Sequence, residues 1–135
     1  MSLSVFFTPI IIQDISPDSG FLRSQLGNVI RIYDREFPTW DADDKPHLAL
    51  IGVEDDRSSV NNTGCSKAPD AIRKHFYTLY QGDYSVNIVD LGNIKAGEKV
   101  TDTYAALKAV VEELIDENIV PIILGGGQDL TYAQY

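Results

Sequence analysis

Two stretches, HLALIGV at 47–53 and IVPIIL at 119–124, contain neither a charged side chain nor the apolar–polar alternation of a half-exposed strand. Runs of that length and character are strands covered on both faces, as in a parallel sheet. YSVNIVDLG at 84–92 reads as a further strand, followed by the turn NIKAGEK. Helical patterns separate the three. APDAIRKHFYTLY (68–80) places Pro69 at the first helical position and carries Ile72, Phe76, Leu79 and Tyr80 as its apolar stripe. Thr101 caps a second helix with Tyr104, Leu107, Val110, Val111, Leu114 and Ile115 on its buried face. Glu112, Glu113, Asp116 and Glu117 stay outside, and Asn118 ends it. The order β-α-β-α-β defines an α/β chain whose mainly parallel sheet is built by right-handed crossovers.

At 135 residues the chain suits one domain. Residues 47–135 form the α/β unit, and residues 1–46 form a lead-in. Within the lead-in, Val5–Ile12 suits a short strand or an extended arm. From Asp18 or Ser19, Phe21, Leu22, Leu26, Val29 and Ile30 keep helical spacing, interrupted by Gly27. FPTWDADDKP (37–46) is loop chemistry. Three parallel strands by themselves leave two open edges and apolar helix faces in need of cover. The isolated chain is therefore expected to associate with itself or a partner, or to be marginally stable.

The net charge of −9 excludes a nucleic-acid footprint and an anionic membrane surface, both of which need basic residues. No apolar stretch approaches membrane-spanning length, and MSLSVFFTPIII lacks the basic start and small-residue cleavage site of a signal peptide. Cys65 is the single cysteine, so no internal disulfide forms, which fits a reducing, cytoplasmic setting.

In a parallel sheet the site lies off the carboxyl ends of the strands. Three segments meet there: Glu54-Asp55-Asp56-Arg57, Asp90-Leu91-Gly92-Asn93 and Gly125-Gly126-Gly127-Gln128-Asp129. The glycines suit either an anion cradle or a tight corner where backbone passes close to a neighbour, although the spacing fails both the dinucleotide and the P-loop patterns. Asp55, Asp56 and Asp90 suggest the Mg²⁺ carboxylates of a receiver domain, but too little chain lies between Asp56 and Asp90. His47 and His75 have no partner at zinc spacing and read as structural or surface residues, which leaves nucleophile–histidine schemes without support.

Together, GVEDDRSSVNNTGCSKAPDAIR (52–73), VDLGNI (89–94) and PIILGGGQDLTYAQY (121–135) resemble the ureohydrolase family of arginases, agmatinases and formimidoylglutamases. The triple glycine with Tyr132 and Tyr135 is most similar to the formimidoylglutamase form of the third motif. The resemblance implies a three-layer α/β/α arginase-like fold, of which this chain holds the first β-α-β-α-β part. It implies a cytoplasmic, homo-oligomeric hydrolase of small amidine or guanidino compounds, with two manganese ions that activate water. In that family a histidine in the glycine-rich turn is the first metal ligand. Gln128 stands at that position here, a neutral oxygen donor in place of imidazole. The family's later motifs, D-A-H-x-D and D-x-D-x-x-D, do not occur in the sequence. The resemblance therefore assigns Gln128 as the one metal position and no catalytic or cofactor-binding residue. The chain alone is expected not to hydrolyse its substrate, and a metal-poor, non-catalytic relative that acts as a binding or assembly subunit is the rival expectation.

Overall fold

The computed structural model describes residues 2–135. After a 3₁₀ turn at Leu3–Phe6, the elements are β1 (Phe7–Thr8), α1 (Ile12–Ile15), α2 (Leu26–Val29), β2 (Arg31–Ile32), β3 (Leu48–Val53), α3 (Ala68–Phe76), β4 (Ile88–Ile94), α4 (Val100–Asp116), β5 (Val120–Leu124) and α5 (Thr131–Gln134). The sheet runs β1-β4-β3-β5, with β2 also on β4. β3 is parallel to both β4 and β5, as the buried runs require. β4 and β5 lie on opposite sides of β3, so two right-handed crossovers place α3 and α4 on opposite faces. The result is the expected α/β/α layering.

α4 covers one face, with Leu107, Val110 and Leu114 in a cluster with Ala49, Ile51, Val53 and Leu91. Its first turn is closed by the Lys99 N–H donating to Asp102 Oδ2, 2.9 Å, and its end by Asn118 at φ +60°. Tyr104 is only half-buried and Ile115 lies exposed, so the buried stripe is narrower than the sequence pattern suggests. On the other face Ile10, Ile15, Leu26, Ile30, Leu50 and Tyr77 form a second cluster.

Four expectations need correction. The helix expected from Asp18 is a single turn, Leu26–Val29. Gly20 takes φ +74° and breaks the run, while the amides of Leu26 and Gly27 donate to the carbonyls of Leu79 and Tyr77 instead of to a preceding turn. Secondly, the lead-in joins the sheet: β2 pairs parallel with the first half of β4 and β1 antiparallel with its last two residues. That pairs the free side of β4, while among the described residues no strand pairs with the outer side of β5. Thirdly, the strand read at 84–92 spans Ile88–Ile94 and contains a bulge. Finally, α3 ends at Phe76 and is rotated from its expected orientation. It buries Pro69 and Arg73, with Tyr77 just beyond, and leaves Ile72 and Leu79 outside.

That rotation follows from electrostatics. Arg73 is fully buried and meets Asp90, also fully buried, through Nε at 2.9 Å and Nη2 at 2.8 Å. Tyr77 donates its hydroxyl to the same carboxylate at 2.6 Å. A buried pair this well bonded holds the helix face that carries it inward, because a guanidinium brought into the core without a partner would cost several kcal/mol. Burial works against the Arg73 charge, and the Asp90 carboxylate more than offsets it, so the guanidinium pKa is raised. Burial first, and the Asp90 charge second, push the Tyr77 phenol well above its ordinary range, so it stays a donor.

Candidate functional site

The site is built on the carboxyl ends of β3, β4 and β5. The bulge in β4 does the first positioning. Leu50 faces Asp90, but Gly52 faces Asn93, so β4 carries one extra residue around Gly92, at φ +85°. In an unbroken strand Asp90 and Asn93 would face opposite sides. With the bulge both face α3, and Arg73 Nη1 donates to Asn93 Oδ1 at 2.5 Å. Asn93 then donates through Nδ2 to Glu54 Oε1 at 2.8 Å. A chain of hydrogen bonds thus runs from Asp90 and Tyr77 in the core to Glu54 at the rim. Burial first, and the nearby Asp70 charge second, raise the Glu54 pKa above the ordinary carboxylate value.

The glycine turn does the second positioning. The Gly126 amide donates to the Val53 carbonyl at 3.1 Å and that of Gly127 to Asp55 O at 3.1 Å, stitching the turn to the tip of β3. A Cβ at Gly126 would stand 2.8 Å from the Val53 oxygen and even closer to that of Asp55, whereas one at Gly125 would meet nothing within 4 Å. None of the three has a positive φ. The close-approach reading of the glycines is therefore the correct one, and space at Gly126 and Gly127 is what it needs.

Gln128 opens the 3₁₀ turn Gln128–Leu130 and is exposed. It lines a cleft of about 300 Å³ with Ser58, Ser59, Val60, Asn62 and Asp129. Asp129 accepts the Tyr104 hydroxyl on Oδ2, while Oδ1 is buried without a hydrogen-bond partner. That hydrogen bond, more than burial, raises the Tyr104 pKa.

The other acidic candidates are committed elsewhere. Asp90 lies in the core, away from the tips. Asp55, 5% exposed, is held by Arg57 at 2.6 Å and by the Thr103 hydroxyl at 2.8 Å. The Arg57 hydrogen bonds, chiefly, lower its pKa to about 2. Asp56 Oδ2 accepts the Gly64 amide at 2.7 Å and so shapes its loop, which lowers its pKa too. His47 takes the Asn87 amide on Nδ1, and His75 is exposed on α3. Cys65 Sγ lies 3.1 Å from Ser59 Oγ.

A metal centre is therefore not complete in these residues. Gln128 offers one neutral oxygen, Asp55 and Asp56 are engaged, Asp129 keeps one buried oxygen without a partner, and among the described residues no three of His, Cys, Asp and Glu stand close enough to hold an ion. The sequence reading brought residues 54–57 and the glycine turn to one end of the sheet correctly, but Asp90 of the second segment lies inside β4 and only Asn93 reaches the rim, through Glu54. It missed Arg73, Asn93 and Thr103 as the groups that fix them. The glycine in D-x-G-N was the available signal, since a glycine inside a strand marks a bulge.

A β-α-β-α-β unit with a glycine turn stitched across the tip of its central strand is the frame of an α/β domain whose site lies off the carboxyl ends of its strands. Residues 46–135 match the model of the arginase family, and the chain belongs to that family. A formimidoylglutamase of Streptococcus pyogenes (serotype M5, strain Manfredo) is 32% identical over 95 residues, covering 66% of this chain and 29% of the relative. The solved formimidoylglutamase of Bacillus subtilis is 26% identical with TM-score 0.65, covering 82% of this chain and 35% of that one. A Trypanosoma cruzi formiminoglutamase, solved with Mn²⁺, shares the fold with TM-score 0.63 at 19% identity, covering 81% and 38%. The chain thus spans about three tenths of the length of the curated relatives it matches. No helix among the described residues is long and apolar enough to cross a membrane.

Proposed function

We propose that this chain forms the amino-terminal part of an amidine C–N hydrolase that converts N-formimidoyl-glutamate and water to glutamate and formamide. Hydrolysis of a guanidino compound to urea is the close variant. The observation that carries the reading is the seating of the glycine turn on β3, which sets Gln128 at the tip of the central strand, beside the 58–62 loop. Manganese is the metal of this reading, as in the T. cruzi relative. When bound, such ions activate water and stabilise charge on the amidine. Most ligands would come from outside these residues, so the chain alone is inactive. The assembled protein is a cytoplasmic homo-oligomer. Residues 1–46 act as a lead-in to the 47–135 unit.

The test joins this chain to the remaining two-thirds of a formimidoylglutamase relative and measures formamide release during Mn²⁺ titration. Metal-dependent turnover supports the reading, and none on any amidine or guanidino substrate overturns it. The exposed, neutral Gln128 favours one rival: a metal-poor relative kept as a binding or assembly subunit. If Mn²⁺ binds only after Gln128→His, that rival is correct.

A further inference from the structure

A cleft of about 530 Å³ lies between the 37–45 loop and the last turn of α4, at the far end of the sheet from the glycine turn. α4 ends at Asp116 and β5 starts at Val120, so the cleft flanks the amino end of β5, whereas Gln128 follows its carboxyl end. The strand between them sets the two sites roughly 15 Å apart.

The cleft is charged in one sense. Asp41, Glu113, Asp116 and Glu117 line it, against the single ammonium of Lys45. The ion pairs made among the described residues leave all five out. Asp41 Oδ1 is spent on the amides of Asp43 and Asp44, and Glu117 Oε2 takes the indole N–H of Trp40 at 2.8 Å, a neutral donor. α4 carries no basic residue in its last turn, so three of these carboxylates stand at the negative pole of the helix. Glu113 and Glu117 lie one turn apart on the same face, where like charges repel. Both are half-buried, and water and salt screen them less than they would on an open surface. A merely solvated acid behaves differently: Glu112, on the same helix, is 65% exposed and has Lys108 Nζ at 3.8 Å.

The opposite wall is aromatic. Trp40 and Phe37 pack on the core cluster and also line the cleft, and the bond to Glu117 fixes the indole plane. An indole face is the best aromatic acceptor for an organic cation. A hydrated inorganic ion gains nothing from such a wall, and among the described residues no three of His, Cys, Asp and Glu are placed to ligate one. The charge count asks for more than one positive group, and the wall asks for an apolar stem between them. The volume is that of a small-molecule site, within the range of about 300–1,000 Å³.

We propose that this cleft binds a linear aliphatic polyamine. Its ammonium groups meet Glu113, Asp116 and Glu117, and its methylene stem lies along Trp40 and Phe37. The bound amine bridges the 37–45 loop and α4, and so fastens the amino-terminal segment to the helix. The site stands apart from the glycine turn, so it binds whether or not the protein hydrolyses an amidine.

The test titrates the 135-residue chain with butane-1,4-diamine, its fold checked first by circular dichroism. Calorimetry reads binding, and Trp40 emission, excited selectively over tyrosine, reads its location. Butylamine, butane-1,4-diol and Mg²⁺ at matched ionic strength are the controls. The diamine should bind with a Kd of about 1 mM or below. Trp40 emission should saturate at the same concentrations. Butylamine, one ammonium short, should bind roughly fivefold more weakly, and the diol should not bind. Glu113→Gln should weaken the diamine by roughly fivefold too. That substitution removes a like charge beside Glu117, so the melting temperature should not fall. The proposal is overturned if the diamine does not saturate, if Glu113→Gln leaves its affinity unchanged, or if butylamine or Mg²⁺ matches it, which would reduce the cleft to an acidic patch.

Discussion

Replacing Asp90 with alanine should be the most damaging single change in the sheet. The carboxylate accepts from Arg73 Nε and Nη2, from the Tyr77 hydroxyl and from the Gly92 amide, all within 3.1 Å. Its loss strands a guanidinium that is fully buried. Breaking such a pair from one side costs about 3–5 kcal/mol, mostly the penalty of the orphaned charge. With a urea slope of about 2 kcal/mol/M, the midpoint should fall by roughly 2 M. The control uses the other carboxylate on the same guanidinium. Asp70 lies 3.2 Å from Nη1 but is 41% exposed, so Asp70→Ala should cost less than about 1 kcal/mol. Arg73→Met, Tyr77→Phe and Asp90→Leu combined should recover only part of the loss: no buried charge or hydroxyl is then left unpaired, but the Gly92 amide and Asn93 Oδ1 lose their partners. Far-UV circular dichroism in urea reads all three proteins. If Asp90→Ala shifts the midpoint by less than about 0.5 M, or no more than Asp70→Ala does, the buried pair is not what orients α3.

Gly126→Ala should lower stability by about 1–3 kcal/mol, because its Cβ is driven against two carbonyl oxygens of the β3 tip, whereas Gly125→Ala should be tolerated. Paired thermal melts compare them. Asp55 has a folded pKa of about 2 against an ordinary value of 3.8, so its contribution is present above pH 3.8 and is lost as pH falls through about 2. Asp55→Asn should flatten that acid limb in a series of melts across pH, and an unchanged limb would contradict the assignment. Asn118 sits at φ +60°, so Asn118→Gly should be nearly neutral while Asn118→Ala costs about 1 kcal/mol, read from the same melts.

Much of the α/β unit was legible because its cause is local. Uncharged runs announced β3 and β5, and the 3.6-residue period gave Leu107, Val110, Val111 and Leu114 as the α4 face. Elsewhere the deciding partner is distant in sequence. Arg73 is a polar residue by composition and a core residue by virtue of Asp90, 17 positions on, so period alone pointed α3 the wrong way. The lead-in hydrophobics keep helical spacing yet are held by β4 and by the carbonyls of Tyr77 and Leu79. At the site, the segment order was readable but the reach of each carboxylate was not. Asp55 and Asp56 look alike in the sequence, and only the Arg57–Thr103 pair on one side and the loop amides on the other separate them.

Trp40, the single tryptophan, donates its indole N–H to Glu117 Oε2 at 2.8 Å, just past the end of α4. The protein thus carries one indole fluorophore, placed where the amino-terminal segment is latched to the longest helix. Its emission wavelength would shift red if that latch opened while the sheet stayed intact. Fluorescence and circular dichroism followed side by side would then reveal whether the segment detaches before the sheet unfolds.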